Sequence, residues 1–300
     1  MKDGKLFLES LNNTAPIFGK TAIETCKQND EICSWLLDPL AKWSREAYGE
    51  GVFGIAAKGY VEHYVNSERA QHLYEKNGKY VPELFSHMEE AICDDEQRMV
   101  HYMWAAILTY PFLPMLVNSL QFFRNEFCDH LAPQGKVLEL ACGHGVMGLL
   151  AAEHREDVSV MGLDINGHAI GVANKLCSVS GHGDRASFYV NDALSLPPGG
   201  GGVTTYQGII AAMLAEHLRE PQILFDVIKS RLAPEGIVYF STVLEQFQFD
   251  HVYEYNKESE PVVMAEQAGL RVLKLICDGT KKNDKRKFKP RALTMILVHQ

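Results

Sequence analysis

Val137-Leu-Glu-Leu-Ala-Cys-Gly-His-Gly-Val-Met-Gly148 decides how this chain folds. It reads as a buried strand that ends in Gly143-x-Gly145-x-x-Gly148 and runs into an apolar helix. Glycine is needed where backbone must approach a ligand closely or take a positive φ. The helix start behind such a loop offers N–H groups and a partial positive charge. A loop of this kind holds either a dinucleotide pyrophosphate or the amino-acid end of an adenosyl cofactor, and its spacing fits both.

Outward from that loop, residues 137–140, 158–163, 186–190, 208–212 and 237–242 are short apolar runs bounded by turn residues, with helical stretches between them. This alternation predicts a parallel sheet with helices on both faces. Residues 271–276 and 293–299 are separated only by a charged loop and should pair antiparallel as a closing hairpin. Gly199 to Gly202 reads as a flexible connection before the fourth strand. The chain before residue 130 has another texture. Ile32, Trp35, Leu36, Leu40 and Trp43 recur at helical steps, and Asp38-Pro39 is expected to interrupt or restart that helix. Gly49, Gly51, Gly54 and Gly59 read as a turn-rich passage. A helix through Met99, Tyr102, Met103 and Leu108 should break at Pro111 and Pro114, and another should run from about Leu116 to His130. The expected division is a helical region over 1–130 and an α/β domain over 131–300.

Two acids sharpen the reading of the loop. Asp164 ends the second strand, about 20 residues past the glycines, where a carboxylate can accept both ribose hydroxyls. Asp192, followed by Ala193, ends the third strand and can accept from an adenine amino group. Each has a plainer reading: Asp164 as a helix N-cap, Asp192 as a loop residue, and Glu139 as a cap for the turn that follows it.

With these residues in the right order, the chain from about Lys136 to Gln300 resembles the class I S-adenosylmethionine-dependent methyltransferases. The resemblance implies a Rossmann-like seven-stranded sheet with a closing antiparallel hairpin, here preceded by an all-α N-terminal domain. It implies S-adenosyl-L-methionine as cofactor and S-adenosyl-L-homocysteine as product. Glu139, Ala141, Gly143, Gly145, Asp164, Ile165, Asp192, Ala193 and Met213 fall on the cofactor-binding positions. Residues 206–218 look like the family's fourth strand and following turn, and Arg231-Leu-Ala-Pro-Glu-Gly236 like its turn before strand five. Ala141 departs from a common glycine, and Gln207 from a usual, largely structural Asp.

Methyl transfer is an in-line displacement from a sulfonium, so the protein chiefly aligns the nucleophile and excludes water. A base helps when the acceptor is a hydroxyl or an acidic carbon, and His suits that role. His251, in the aromatic passage 247–255, is the first candidate; His217, after strand four, is the second, with a structural role as its plainer reading. Cys142 and His144 read as packing and solvent-facing side chains. The helical region should form an acceptor lid, and it is a candidate dimerisation surface. Most of its aromatics, among them Trp35, Trp43, Tyr60, Tyr80 and Trp104, read as core, with some lining the pocket.

Composition narrows the remaining choices. A net charge of −9 argues against a nucleic-acid partner, and the basic run Lys281 to Arg291 reads as a solvated loop. Seven widely spaced cysteines without C-x-x-C, and twelve histidines without H-E-x-x-H, predict reduced thiols and no metal site. No apolar run reaches the roughly 20 residues of a membrane span, and no signal-like start is seen, so a cytoplasmic protein is expected. The expected activity is methylation of a small-molecule acceptor, such as a secondary metabolite in natural-product biosynthesis, at O, N or an activated carbon. The alternatives are an RNA or protein methyltransferase, a NAD-dependent oxidoreductase, and a non-methylating protein such as a cyclase.

Overall fold

The computed structural model describes residues 1–78, 94–195, 204–279 and 287–300. Tyr80, Cys93, the glycines at 199–202 and the basic residues at 281–286 lie outside them. Six helices come first among the described residues: α1 (Lys5–Thr14), α2 (Pro16–Gln28), α3 (Asp30–Tyr48), α4 (Val52–Asn77), α5 (Glu96–Phe112) and α6 (Pro114–Phe122). A π-helical turn (Phe123–Phe127) and a 3-10 turn (Cys128–His130) extend α6. The chain then alternates: β1 (Lys136–Leu140), α7 (Val146–His154), β2 (Ser159–Asp164), α8 (Gly167–Ser180), β3 (Ala186–Val190), β4 (Tyr206–Ala212), α9 (Gln222–Arg231), β5 (Leu232–Leu244), α10 (Ser259–Gln267), β6 (Leu270–Gly279) and β7 (Arg291–His299).

The strands form one seven-stranded sheet in the order β3-β2-β1-β4-β5-β7-β6. β1 to β5 pair parallel, and β7 enters antiparallel between β5 and β6. Both faces are covered, as a parallel sheet requires, and successive side chains divide between two cores. Val137, Tyr239 and Ile296 join Phe7, Trp104 and Phe123 in one cluster that continues into the helical region. Leu138, Phe240 and Met295 join Phe225, Ile228 and Tyr255 on the other face. Polar ties fix α6 to the sheet: Tyr239 Oη donates to the Ser119 carbonyl at 3.2 Å, and Thr294 Oγ1 donates to Ser119 Oγ at 2.8 Å.

Several local expectations give way to packing. Pro39 lies inside α3, which runs unbroken through it. An interior Pro costs a helix about 3 kcal/mol, and here the buried face from Ile32 to Trp43 outweighs that cost. Pro111 likewise lies within α5, and the chain turns by 88° only at Leu113, where α6 begins with Pro114. Gly54 and Gly59 belong to α4 rather than to a turn. A Cβ on Gly59 would stand 2.3 Å from the His101 carbonyl oxygen, so this glycine lets α4 and α5 approach. Gln207, where the family usually has Asp, ties β4 to β1: its Oε1 accepts the Lys136 N–H at 2.8 Å. At the other end of the basic run, Arg291 is no solvated loop residue; it begins β7 and pairs with Glu258 and Glu245. Among the described residues, no single helix is long and apolar enough to cross a membrane.

Candidate active site

The glycine loop leaves the C-terminal edge of β1 under tight backbone control. Ala141, Gly143 and Gly145 have φ values of 49°, 51° and 67°, the left-handed region. A side chain at Gly145 is excluded twice, because its Cβ would also lie 2.6 Å from the Phe188 ring. Ala141 occupies this region despite its Cβ, at a cost of about 1–2 kcal/mol. Two carboxylates hold the loop. Asp164 Oδ2 accepts the Gly143 N–H and Oδ1 accepts the Asn166 N–H, both at 2.8 Å. Glu139 Oε2 accepts the Gly148 N–H at 3.0 Å. Asp164 is therefore not the N-cap of α8; that role falls to Asn166, whose side chain accepts from His168 and Ala169.

Burial raises both acids. The Glu139 carboxyl is pushed up to about 8 by desolvation and by the nearby Asp164, against the pull of the Gly148 N–H. Asp164 is also raised by burial, opposed by its two N–H donors. A buried carboxyl without a cation pays for its desolvation, so both are suited to positive or hydrogen-donating groups of a ligand. His144 Nδ1 accepts the Val146 N–H at 3.0 Å, and burial lowers its imidazole to about 4. Cys142 is buried, and its thiol is raised, chiefly by desolvation.

Above the loop lies a cavity of about 440 Å³ whose walls come from both halves of the chain. Glu139, Ala141, Gly143 and Asp164 line it from the glycine-loop side. His63 and Gln71 of α4, Tyr102, Met103 and Tyr110 of α5, and Leu116 of α6 supply further walls. Met103 reaches down to the glycine loop, where a Cβ on Gly143 would stand 3.1 Å from its sulfur. Met213 lines the wall with φ at 49°, its N–H donating to Ser241 at 2.9 Å. Gln71, only 5% exposed, clamps the segment after β5: it accepts the Phe247 N–H at 3.0 Å and donates to the Glu245 carbonyl at 3.4 Å.

Asp192 and Ala193 follow β3, outside the residues that line this cavity. The Asp192 side chain accepts the Leu194 N–H at 2.9 Å and the Ser195 hydroxyl, which hold its carboxyl low. Ile165, at the neighbouring end of β2, is 75% exposed, and Val190 is also exposed. These apolar side chains form an open shelf between the tips of β2 and β3.

The two candidate bases come together. His217 and His251 line the cavity with rings 5.1 Å apart, edge to face. Each is anchored through Nδ1: His217 donates to the Asp250 carbonyl at 2.9 Å, and His251 to the Gln246 carbonyl at 3.1 Å. Burial lowers His251 to about 4, outweighing the attraction of Asp250. Asp250 is buried too. Desolvation works to raise it, but His217, His251, the Tyr102 hydroxyl and His63 hold it low. Tyr102 donates to Asp250 Oδ2 at 2.5 Å. Glu216, beside His217, is buried and raised by desolvation, and its Oε2 accepts from Thr242 Oγ1 at 2.7 Å. Sequence reading missed His63 and Gln71, and it counted Tyr102 only among the aromatics of the helical region, some of them expected at the pocket, without its tie to Asp250. The only available signal was polar atoms on otherwise apolar helix faces.

The geometry fits an adenosyl-amino-acid cofactor. The Gly143 cradle is space that a Cβ would fill, Glu139 can meet an ammonium, and Asp164 can meet a diol. A family model described as "Methyltransferase domain" matches residues 117–274. An uncharacterised protein from Synechococcus is 28% identical over 125 residues, which make up 40% of this chain and 28% of that protein. The ribosomal RNA large subunit methyltransferase G of Pectobacterium atrosepticum is 37% identical over 82 residues, 26% of this chain and 22% of that protein. The chain thus spans about a quarter of the length of these relatives. Among solved structures, the MccD protein superposes with a TM-score of 0.50 at 13% identity, covering 61% of this chain and 98% of that one, a likeness of fold. With the family model matched over more than half of its length, the chain belongs to the class I S-adenosylmethionine-dependent methyltransferases.

Proposed function

We propose that this protein transfers a methyl group from S-adenosyl-L-methionine to a small acceptor bound beneath its own N-terminal helices. One observation carries the reading: a single cavity joins the carboxylates of the glycine loop to a histidine cluster, and α4, α5 and α6 contribute its other walls. About 440 Å³ suits a small molecule beside the reactive end of a cofactor. The helical region acts as the acceptor lid. A secondary metabolite is the acceptor class we favour.

In this reading, Glu139 holds the cofactor's ammonium, and the backbone at Ala141, Gly143 and Gly145 lets its amino-acid end lie close. Asp164 takes the ribose hydroxyls. Ile165, Asp192 and Ala193 take the adenine on the shelf outside the cavity, and Met213 flanks the reactive end. The bound cofactor supplies a methyl group on a sulfonium, an electrophile whose leaving group needs no proton. The chain's own residues align the acceptor and keep water out, worth several kcal/mol of barrier. The Glu216, His217 and His251 cluster faces the acceptor end, where a hydroxyl must lose its proton.

Titration calorimetry with S-adenosylhomocysteine and NAD on wild type and Asp164→Ala tests the cofactor half. We expect S-adenosylhomocysteine to bind, the variant to lose that binding, and NAD not to bind. Transfer of labelled methyl to a panel of small phenols, hydroxy acids and amines, with tRNA in parallel, tests the acceptor half. Label that enters tRNA alone refutes the small-molecule reading, and binding of NAD in place of S-adenosylhomocysteine refutes the whole.

A further inference from the structure

The Glu216, His217 and His251 cluster is built like a metal site, although His251 lies 34 residues beyond the adjacent pair Glu216 and His217. Glu216 and His217 stand in the 3-10 turn after β4, and His251 in the turn after β5. One ligand-type atom from each lies within 4.8 Å of the other two. Small side-chain rotations bring such a set onto one ion at bonds of about 2.0–2.2 Å.

Three features separate this cluster from chance proximity. The first is its supporting shell. Metal-bound histidines ordinarily donate the far ring nitrogen to a carbonyl or carboxylate, and ligating carboxylates are themselves hydrogen-bonded. Here Nδ1 of each ring donates to a backbone carbonyl, of Asp250 and of Gln246, which makes Nε2 the ligating end of the neutral ring. Thr242 fixes one oxygen of Glu216. The second is charge. Glu216 is 1% and Asp250 7% exposed. Among the described residues, no Lys or Arg pairs with either. Two buried carboxylates faced by imidazoles and by the Thr242 and Tyr102 hydroxyls have no permanently charged cation beside them among the described residues, and buried charge without one is costly. The third is an orphan atom: Asp250 Oδ1 is buried with no hydrogen-bond partner among the described residues. Its fellow oxygen lies 3.8 Å from His217 Nδ1.

We propose that Glu216, His217 and His251 bind one divalent transition-metal ion at the acceptor end of the cavity, with Asp250 as a charged support beside it. Two imidazoles and a carboxylate suit Zn²⁺, Fe²⁺ or Co²⁺ and disfavour Ca²⁺ and Mg²⁺, which prefer all-oxygen shells. Three protein ligands leave positions open, as in catalytic zinc sites, and the cavity puts acceptor oxygens within reach of them. Ion binding itself does not depend on methyl transfer; only the ion's use in polarising an acceptor rests on the proposed function.

The full chain, dialysed against a chelator and titrated with Co²⁺, tests the site by visible absorption and by elemental analysis of bound ion. We expect one ion per chain, a ligand-field band of low-symmetry Co²⁺, displacement by Zn²⁺, and no competition from Ca²⁺. His251→Gln and Glu216→Gln should each weaken Co²⁺ binding by at least 10–100-fold, the loss typical even of outer-shell changes. S-adenosylhomocysteine affinity and the melting transition, measured on the same samples, report whether each variant is folded. A wild type that binds no Co²⁺ after dialysis overturns the proposal outright. Folded variants that bind it as tightly as wild type overturn it equally. A Co²⁺ band without any S-adenosylhomocysteine binding would support the ion site while removing the cofactor reading.

Discussion

Neutralising one buried acid, by Glu139→Gln, tests how the cofactor crevice handles charge. The Glu139 carboxyl stands at about 8, against an ordinary value of 4.5, because it is desolvated and close to Asp164. At pH 7 the protonated form then outnumbers the carboxylate by about ten to one, so about 0.9 of a proton is bound. An ammonium arriving at Glu139 stabilises the carboxylate and drives that proton off. S-adenosylhomocysteine binding should therefore release about 0.9 proton at pH 7 and about 0.1 at pH 9. Calorimetry in buffers of different ionisation enthalpy measures this release as the slope of observed enthalpy against buffer enthalpy. The stability of the ligand-free protein is linked to the same group. Its folded value is raised, so the native state holds a proton that the unfolded chain has lost between about pH 4.5 and 8. The contribution is greatest below that window and falls as pH rises through it, by at most about 5 kcal/mol. Gln keeps an acceptor for the Gly148 N–H but cannot ionise, so the variant should lose both the proton release and this share of the pH slope. A wild-type slope near zero at pH 7, or the same release from Glu139→Gln, would refute the assignment of Glu139 to the ammonium.

Other perturbations test packing and shape. Gly145→Ala forces a Cβ onto a φ of 67° and to 2.6 Å from the Phe188 ring; urea unfolding should show a loss of about 3 kcal/mol. Gly59→Ala pushes on the His101 carbonyl from 2.3 Å. It should cost about 2 kcal/mol by the same measure and raise the KM for the acceptor, because α4 and α5 wall the cavity. Gln71→Leu leaves the Phe247 N–H and Glu245 carbonyl without their partner, a loss of about 1–3 kcal/mol in thermal or chemical unfolding. Ile165→Ser should leave stability within about 0.5 kcal/mol, since the side chain is exposed. It should also weaken S-adenosylhomocysteine about tenfold in calorimetry, the worth of roughly 1.5 kcal/mol of apolar burial.

Residues close together in the chain announced themselves. The run from Val137 to Gly148 contains a strand, a turn that only small residues can make, and a helix start, all within one local unit. Apolar runs bounded by turn residues marked β1 to β7, because strands buried on both faces are apolar throughout, and helical steps marked α3, α5 and α6, because burial on one face imposes that repeat on the sequence. Where local rules and packing conflicted, packing prevailed. Pro39 and Pro111 remain inside helices because their neighbours bury large apolar faces. Gly59 is helical because an adjacent helix needs the space.

The sequence by itself determined the layered α/β sheet and the glycine loop, since each is written in contiguous residues, and the order of its segments carried the resemblance to the family. Only the tertiary structure decided what faces that loop. Tyr102 of α5 reaches Asp250, Gln71 of α4 clamps the segment after β5, and Glu216, His217 and His251 converge from two strand-end turns. The reason is that a binding site is assembled at the edge of a sheet from side chains distant in the chain. Which of them meet is set by strand order and helix packing, which no local pattern encodes.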